Sequence, residues 1–300
     1  GAVWFPGTQL NYARQVFRHA DEAQAADLPA ILFRNEMLQA AGRTLSIADE
    51  LQQDDSGRYR ITSLQDWRRL LAWADSSERF VLETDIDLAG DAGYALSYFT
   101  ASLDGGGHTV RNLGQTDAGF TRDGGLFGYI GSGGAVSRLA LSAASVSGSG
   151  DSGLLVGRNA GTLSQVSASG VLQGGGASGQ HASGGLAGSN SGSISQASSQ
   201  GSVSGQQQTG GLVGRNSGSI SSSQSSANVS ASGNEAGGLV GRHSGASASI
   251  TDSTASGTVQ SSADYAGGLV GRSERGSISS SQASGAVQGD DFVGGLVGLS

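Results

Sequence analysis

The chain has no cysteine among its 300 residues, which removes both a disulfide scaffold and a thiolate metal site. It has no lysine either, so all 17 basic residues are arginine. Two prolines are too few for a collagen-like rod. Charged residues make up 14%, against roughly 25% in an average soluble chain. Low charge with 36% apolar residues does not describe a charge-solvated disordered chain. No run approaches about 18 consecutive apolar residues, so no segment reads as a membrane-spanning helix. The excess of 25 acids over 17 arginines, −8 overall, speaks against nucleic acid or an anionic membrane as partner.

What is abundant is glycine, 52 residues, about 17% where near 7% is usual. Charge is uneven. Residues 1–130 hold 11 arginines and 18 acids, a net of −7; residues 131–300 hold 6 arginines and 7 acids, a net of −1. The second region is mostly Gly, Ser, Ala and Gln. Without a period it would pass for a flexible linker.

It has a period. Blocks of the form Gly-Gly-Leu-Val-Gly place leucines at 126, 155, 186, 212, 239, 269 and 296, spaced by 26 to 31 residues, the range of solenoids and arrays. A second marker follows at Leu163, Ile194, Ile220, Ile250 and Ile278, and a third at Leu172, Val203, Val229, Val259 and Val287, always nine residues later. One corner is therefore fixed in length and the other two accept insertions. No segment carries a helical stripe, and glycine within each disfavours a helix by about 1 kcal/mol. Three short strands per repeat, with corners made by glycine at positive φ, describe one coil of a right-handed parallel β-helix. A propeller blade would need a longer repeat. Seven coils at about 4.8 Å would build a rod roughly 34 Å long, with like residues filed above one another.

Three divisions follow. Residues 1–57 read as a mixed or helical capping segment, with helical runs Asn11–Ala26 and Ala30–Ala41 separated by Pro29. Residues 58–130 read as an entry region. There Ser63 caps a helix over 63–74, Phe80 to Leu88 forms a strand, and Phe99–Leu103 and His108–Leu113 flank a turn at Asp104–Gly107. Residues 131–300 are the repeats. The first residue is Gly1, and the seventh block stops with its repeat incomplete at Ser300, so a processed product or an excised piece of a protein that continues further is expected.

The Gly-Leu-Val-Gly blocks at Gly211–Gly214, Gly238–Gly241, Gly268–Gly271 and Gly295–Gly298 resemble the GLUG motif. The preceding Tyr59–Leu64, Thr84–Leu88 and Leu103–Val110 are similar to the segment that introduces such repeats in large secreted bacterial proteins. These include filamentous-haemagglutinin-like adhesins of the two-partner secretion type and surface-bound IgA peptidases. The resemblance covers residues 58–300. It implies a non-catalytic stalk or adhesive region of an exported surface protein, contacting cells, matrix or glycans and served by an outer-membrane transporter partner. Its alternative is an accessory module of a secreted enzyme; a less favoured one is a polysaccharide-degrading β-helix.

No catalytic or metal site, and no cofactor, is expected. The acids nearest to a lyase or hydrolase face are Asp85, Asp87 and Asp104, with His108. Asp85 and Asp87 alternate with apolar Ile86 and Leu88 and should face solvent, while Asp104 opens a glycine turn whose backbone it should bond. Arg158, Arg215, Arg242 and Arg272 each follow the last glycine of a block, with Ser189 interrupting. Stacked, they form an arginine file that could grip an anionic polysaccharide, although shielding of strand ends and bonds to corner carbonyls explain it as well. The longest corner, with Gly174–Gly176 and His181, is a candidate recognition loop or a plain spacer. Asn228-Val229-Ser230 matches a glycosylation sequon.

Overall fold

The computed structural model describes residues 47–70, 73–74, 76–89, 96–115, 123–175 and 181–300. The helical runs expected over 11–26 and 30–41, and most of the 1–57 segment, lie outside these residues. The described chain is a parallel β-solenoid. One coil shows the plan: strands Ser183–Gly184, Ala187–Asn190, Ser193–Ser195 and Ser198–Gly205 each pair in parallel with their counterparts in the coils before and after. Stacked, they give sheets of six, eight, nine and twelve strands among the described residues. The nine-stranded face has eight intervals, roughly 38 Å at about 4.8 Å each.

The constant spacing of nine corresponds to an exact register. Leu163, Ile194, Ile220, Ile250 and Ile278 lie directly above one another. Leu172, Val203, Val229, Val259 and Val287 do the same. The block leucines are joined by amide bonds, for example Leu186 N–H to the Leu212 carbonyl and Leu212 N–H to the Leu239 carbonyl, both 2.9 Å. The first column also runs backward through Val136 and Leu103 to Phe80, paired in turn with Tyr59. The entry region is thus continuous with the repeats, and one core passes through both.

Five expectations need correction. From Ser152 onward each coil has a fourth strand, two residues long, that ends on the first glycine of the block. It carries no aliphatic marker, so it has no signal in the apolar period. The long strand bends at Gly170 and Gly201, and from the next coil onward it divides into Gln224–Ser225 and Asn228–Ala231. The stretch from Phe80 to Leu88 is two strands, Arg79–Leu82 and Ile86–Asp87, on different faces. Phe99 and Leu103 likewise belong to separate strands, Leu96–Phe99 and Ser102–Asp104. In both cases the corner keeps the inward parity, so the alternation reads through it. The helix is Leu64–Leu70, with Trp73 and Ala74 in a following turn. Ser63 Oγ accepts the Asp66 N–H at 3.2 Å, while the Asp66 carboxylate accepts the Thr62 N–H at 3.1 Å, a capping box displaced by one residue. Trp67 and Leu70 bury into the core at this end.

The fifth correction concerns glycine. In the repeats, the bend into the twelve-stranded sheet is held at positive φ by Arg138, Gln165, Gln196, Ser222, Asp252 and Ser280 (φ 48 to 54°), none of them glycine. The first five donate their N–H to the next coil, as Gln196 does to the Ser221 carbonyl at 3.1 Å, so the stack over-determines the conformation there. The block glycines serve close approach instead. A Cβ on Gly210 would lie 2.0 Å from the Val213 carbonyl oxygen, and one on Gly211 would lie 2.1 Å from that of Gly238. The Leu-Val corner can turn inward only because nothing projects there.

Candidate functional site

The outward position of the eight-stranded sheet reads Tyr98, Tyr129, Arg158, Ser189, Arg215, Arg242, Arg272 in exact register. The four predicted arginines do form one file, broken at Ser189. Their partners are carboxylates rather than corner carbonyls. Arg158 Nε donates to Asp123 Oδ2 at 2.8 Å. Arg242 meets Glu274 at 2.9 Å, and Arg272 meets Glu235 at 3.2 Å and Glu274 at 3.1 Å. Arg272 also lies 5.4 Å from the centre of the Tyr265 ring. Within the repeats, Glu235 and Glu274 are the two acids committed to this file. Arg215 differs: it is exposed, and no carboxylate among the described residues lies within salt-bridge distance of it.

Where Ser189 replaces an arginine, a cleft of about 360 Å³ opens, bounded by Tyr98, Tyr129, Arg158, Ser191, Arg215 and Ser217, with Asn159 and Asn190 at its back. Its position follows from register, because a short side chain sits between two long ones two coils apart. Ser189 Oγ donates to Asp151 Oδ2 at 2.9 Å. The tyrosine rings stand 5.5 Å apart at 50°, and the Arg158 guanidinium lies 5.5 Å from the Tyr129 ring centre, a cation–π contact. Sequence reading passed over these tyrosines, although the signal was there: Tyr129 follows Leu126 by three, as Arg158 follows Leu155.

Behind the file lies a second missed feature. Asn159 Nδ2 donates to Asn190 Oδ1 at 2.8 Å, and Asn190 Nδ2 to Asn216 Oδ1 at 2.8 Å. Asn216 Nδ2 meets His243 Nδ1 at 3.2 Å. This buried amide ladder fixes the backbone from which the outward residues project. Burial pushes the His243 pKa down.

The acids of the entry region come together on ladder bonds. Asp85 is exposed and accepts the Thr109 N–H at 3.0 Å beside His108 at 3.2 Å; the amide bond first and His108 second hold its pKa low. Asp87 accepts from Asn112 at 2.8 Å, from the Ala89 N–H at 2.9 Å and from Arg111 at 3.0 Å, which lowers it to about 2. For Asp104, burial pushes upward, but Arg138, the Gly106 N–H and Arg58 outweigh it and leave the pKa depressed. All three are ionised at neutral pH. None has the raised pKa of a general acid.

At the long corner, Gly174 ends a strand and His181 Nδ1 lies 3.8 Å from Asp151 Oδ1; residues 176–180 lie outside the described ones. In the sequon, Asn228 Oδ1 accepts from the Thr258 N–H at 3.1 Å and its hydroxyl at 2.9 Å.

By its fold the chain is a parallel β-solenoid with an outward arginine file. Comparison adds that residues 232–260 and 262–288 match the GLUG motif. Halomucin of Haloquadratum walsbyi is 43% identical over 76 residues, 25% of this chain, and the chain spans 1% of that protein's length. Among solved structures, one from Bacteroides ovatus, described as "a putative immunoglobulin A1 protease", superposes with a TM-score of 0.64 at 20% identity. It covers 81% of this chain and 86% of that one. At that identity the likeness is one of fold.

Proposed function

We propose that this chain is a non-catalytic stalk and adhesive section of a large exported surface protein, contacting cells, matrix or glycans. The observation that carries this is the uninterrupted register: identical positions repeat coil after coil, so any outward feature is presented along a stiff flank at fixed spacing. The GLUG matches and the stretch shared with halomucin support a place in a long surface protein. The filamentous-haemagglutinin-like, two-partner assignment and its outer-membrane transporter rest on the resemblance of the blocks and the entry segment. The depressed pKa values of Asp85, Asp87 and Asp104 support a role without catalysis.

Beads coated with the 300-residue chain test this against a glycan array and cultured cells. Retention on a glycan class or cell type, lost on competition with free chain, is expected; retention no better than albumin-coated beads overturns adhesion. Reducing-end release from polysaccharides should be nil in the parent and in an Asp85→Asn, Asp104→Asn double variant. A second reading, an accessory module of a secreted peptidase, draws on the B. ovatus neighbour. A His-Glu-x-x-His motif elsewhere in the full-length sequence would favour it over a stalk.

A further inference from the structure

We infer that the cleft at Ser189 is a binding site for an acidic saccharide, its carboxylate gripped by Arg215 and its ring lodged against the tyrosine wall. This names the ligand class for the adhesive reading and rests on that reading only for its biological use.

Four observations converge. The first is charge. Three of the four guanidiniums in the file bond carboxylates of the chain, whereas Arg215 has none among the described residues. A guanidinium presents a planar fork that matches a carboxylate in bidentate fashion. The acids nearest the cleft, Asp123 and Asp151, are already engaged, by Arg158 and by the Ser189 hydroxyl with the Ala182 N–H. The chain is −8 overall, so polyanions are not collected by its general field and recognition must be local.

The second is size. About 360 Å³ is within the range of small-molecule sites, and the interval from Arg158 to Arg215 is two coil spacings, roughly 10 Å. The third is chemistry. The walls are hydroxyls and two half-buried tyrosines. Ser191 Oγ donates to the Asn159 carbonyl and Ser217 Oγ to that of Asn190, both at 3.3 Å, which leaves their lone pairs for sugar hydroxyls. The fourth is rigidity. The cleft is built on successive strands of one sheet, tied from behind by the asparagine ladder, so little ordering is needed on binding.

An acidic peptide is the competing class. Extended peptides usually bind by adding a strand to an open sheet edge, but the strands under this cleft, Phe127–Ile130, Val156–Asn159, Ala187–Asn190 and Val213–Asn216, are paired on both sides. That geometry favours the saccharide.

Isothermal titration of the 300-residue chain with oligogalacturonate, its methyl ester and an oligoglutamate of equal charge provides the test. Oligogalacturonate should bind, with the ester weaker by about tenfold or more. Arg215→Gln should lose a similar factor, and Ser189→Arg, which extends the file into the cleft, should abolish binding. Arg242→Gln, whose side chain is paired outside the cleft, should bind as the parent does. If Ser189→Arg disturbs the dichroism spectrum, Tyr129→Ser replaces it, with weakened binding expected. No binding by the parent, equal affinity for the ester, tighter binding of oligoglutamate, or unchanged affinity in Arg215→Gln overturns the site. None of these results touches bead retention on cells, so the adhesive reading stands or falls separately.

Discussion

The same inward position is solved twice in this molecule. At the end of the eight-stranded face it holds Phe99 and Ile130 in the early coils, then Asn159, Asn190, Asn216 and His243 in the later ones. The early coils fill their cross-section with bulk: Trp67, Phe80, Phe99 and Phe127 are all fully buried. The later coils have no buried aromatic ring except the His243 imidazole among the described residues, and rely on single-file aliphatics plus amide and serine ladders. Ser223 and Ser253 extend the latter, each accepting the N–H of the equivalent residue one coil earlier, Ala197 and Ser223, at 3.1 and 3.2 Å. The comparison shows that a stacked coil can trade apolar volume for a file of polar groups that bond one another, from Asn159 through Asn190 and Asn216 to His243.

The largest effects should separate the two solutions. Phe127→Ala removes a ring packed 5.0 Å from Phe99 and should cost about 3–5 kcal/mol. Leu212→Ala in the thin columns should cost about 2–4 kcal/mol. Urea unfolding resolved by amide exchange would show the first loss in the early coils and the second in the repeats. Equal, global effects would mean that the whole rod melts as one unit.

Next comes the ladder. Asn190→Leu strands Asn159 Nδ2 and Asn216 Oδ1 together and should cost about 2–4 kcal/mol. Asn159→Ile should cost less, about 1–2 kcal/mol, because Ile130 already lies below it and only one ladder amide, that of Asn190, loses its neighbour, besides the local bond from the Gly161 N–H to Asn159 Oδ1. If the two substitutions prove equal, the ladder is a set of independent bonds and not a file.

How much of this was legible in sequence follows from which signals are carried by side chains. The aliphatic columns were legible because a constant nine residues separate Leu163 from Leu172 and Ile194 from Val203. The arginine file was legible for the same reason, since each arginine follows its block leucine by three. The ladder was equally readable, four residues after Leu155, Leu186 and Leu212, but asparagine in a Gly/Ser context reads as turn material. The two-residue sheet at Ser183–Gly184 and its equivalents was not legible, because a strand ending on glycine leaves no alternation. Nor was the cleft, which exists only through the vertical neighbourhood of Tyr129, Arg158, Ser189 and Arg215.

Acid should also divide the molecule. Among the described residues of the early coils, six carboxylates have depressed pKa values: Asp54, Asp66, Glu83, Asp85, Asp87 and Asp104. In the repeats only Glu274 does. A carboxylate with a lowered folded pKa contributes stability that is present above its unfolded value near 4 and disappears as pH falls through the folded one. For Asp87 that window extends to about 2. His243 acts higher. Its lowered pKa disfavours the charged form in the fold, so its contribution is complete above about 6.5 and declines as pH drops below that. Amide exchange should therefore show the repeats around His243 loosening as pH falls below about 6.5, and the early coils only below about pH 4. His243→Asn should remove the first transition and leave the second.

The smallest effect lies at the corners. Gln196 sits at φ 51° and is exposed; a non-glycine residue there costs about 1 kcal/mol or more. At a different bend, the early coils place Asn112 at φ 60°, where its side chain also donates to Asp87 at 2.8 Å. Gln196→Asn should stabilise the repeats by up to about 1 kcal/mol, because asparagine tolerates the left-handed region. Gln196→Gly should gain less, since glycine relieves the strain but loses more chain entropy on folding. Both are measurable as a shift of the repeat-region exchange midpoint in urea. If neither moves it, the N–H bond from residue 196 to the Ser221 carbonyl sets the corner so firmly that the residue's own preference no longer counts, and stacking alone determines the backbone of the later coils.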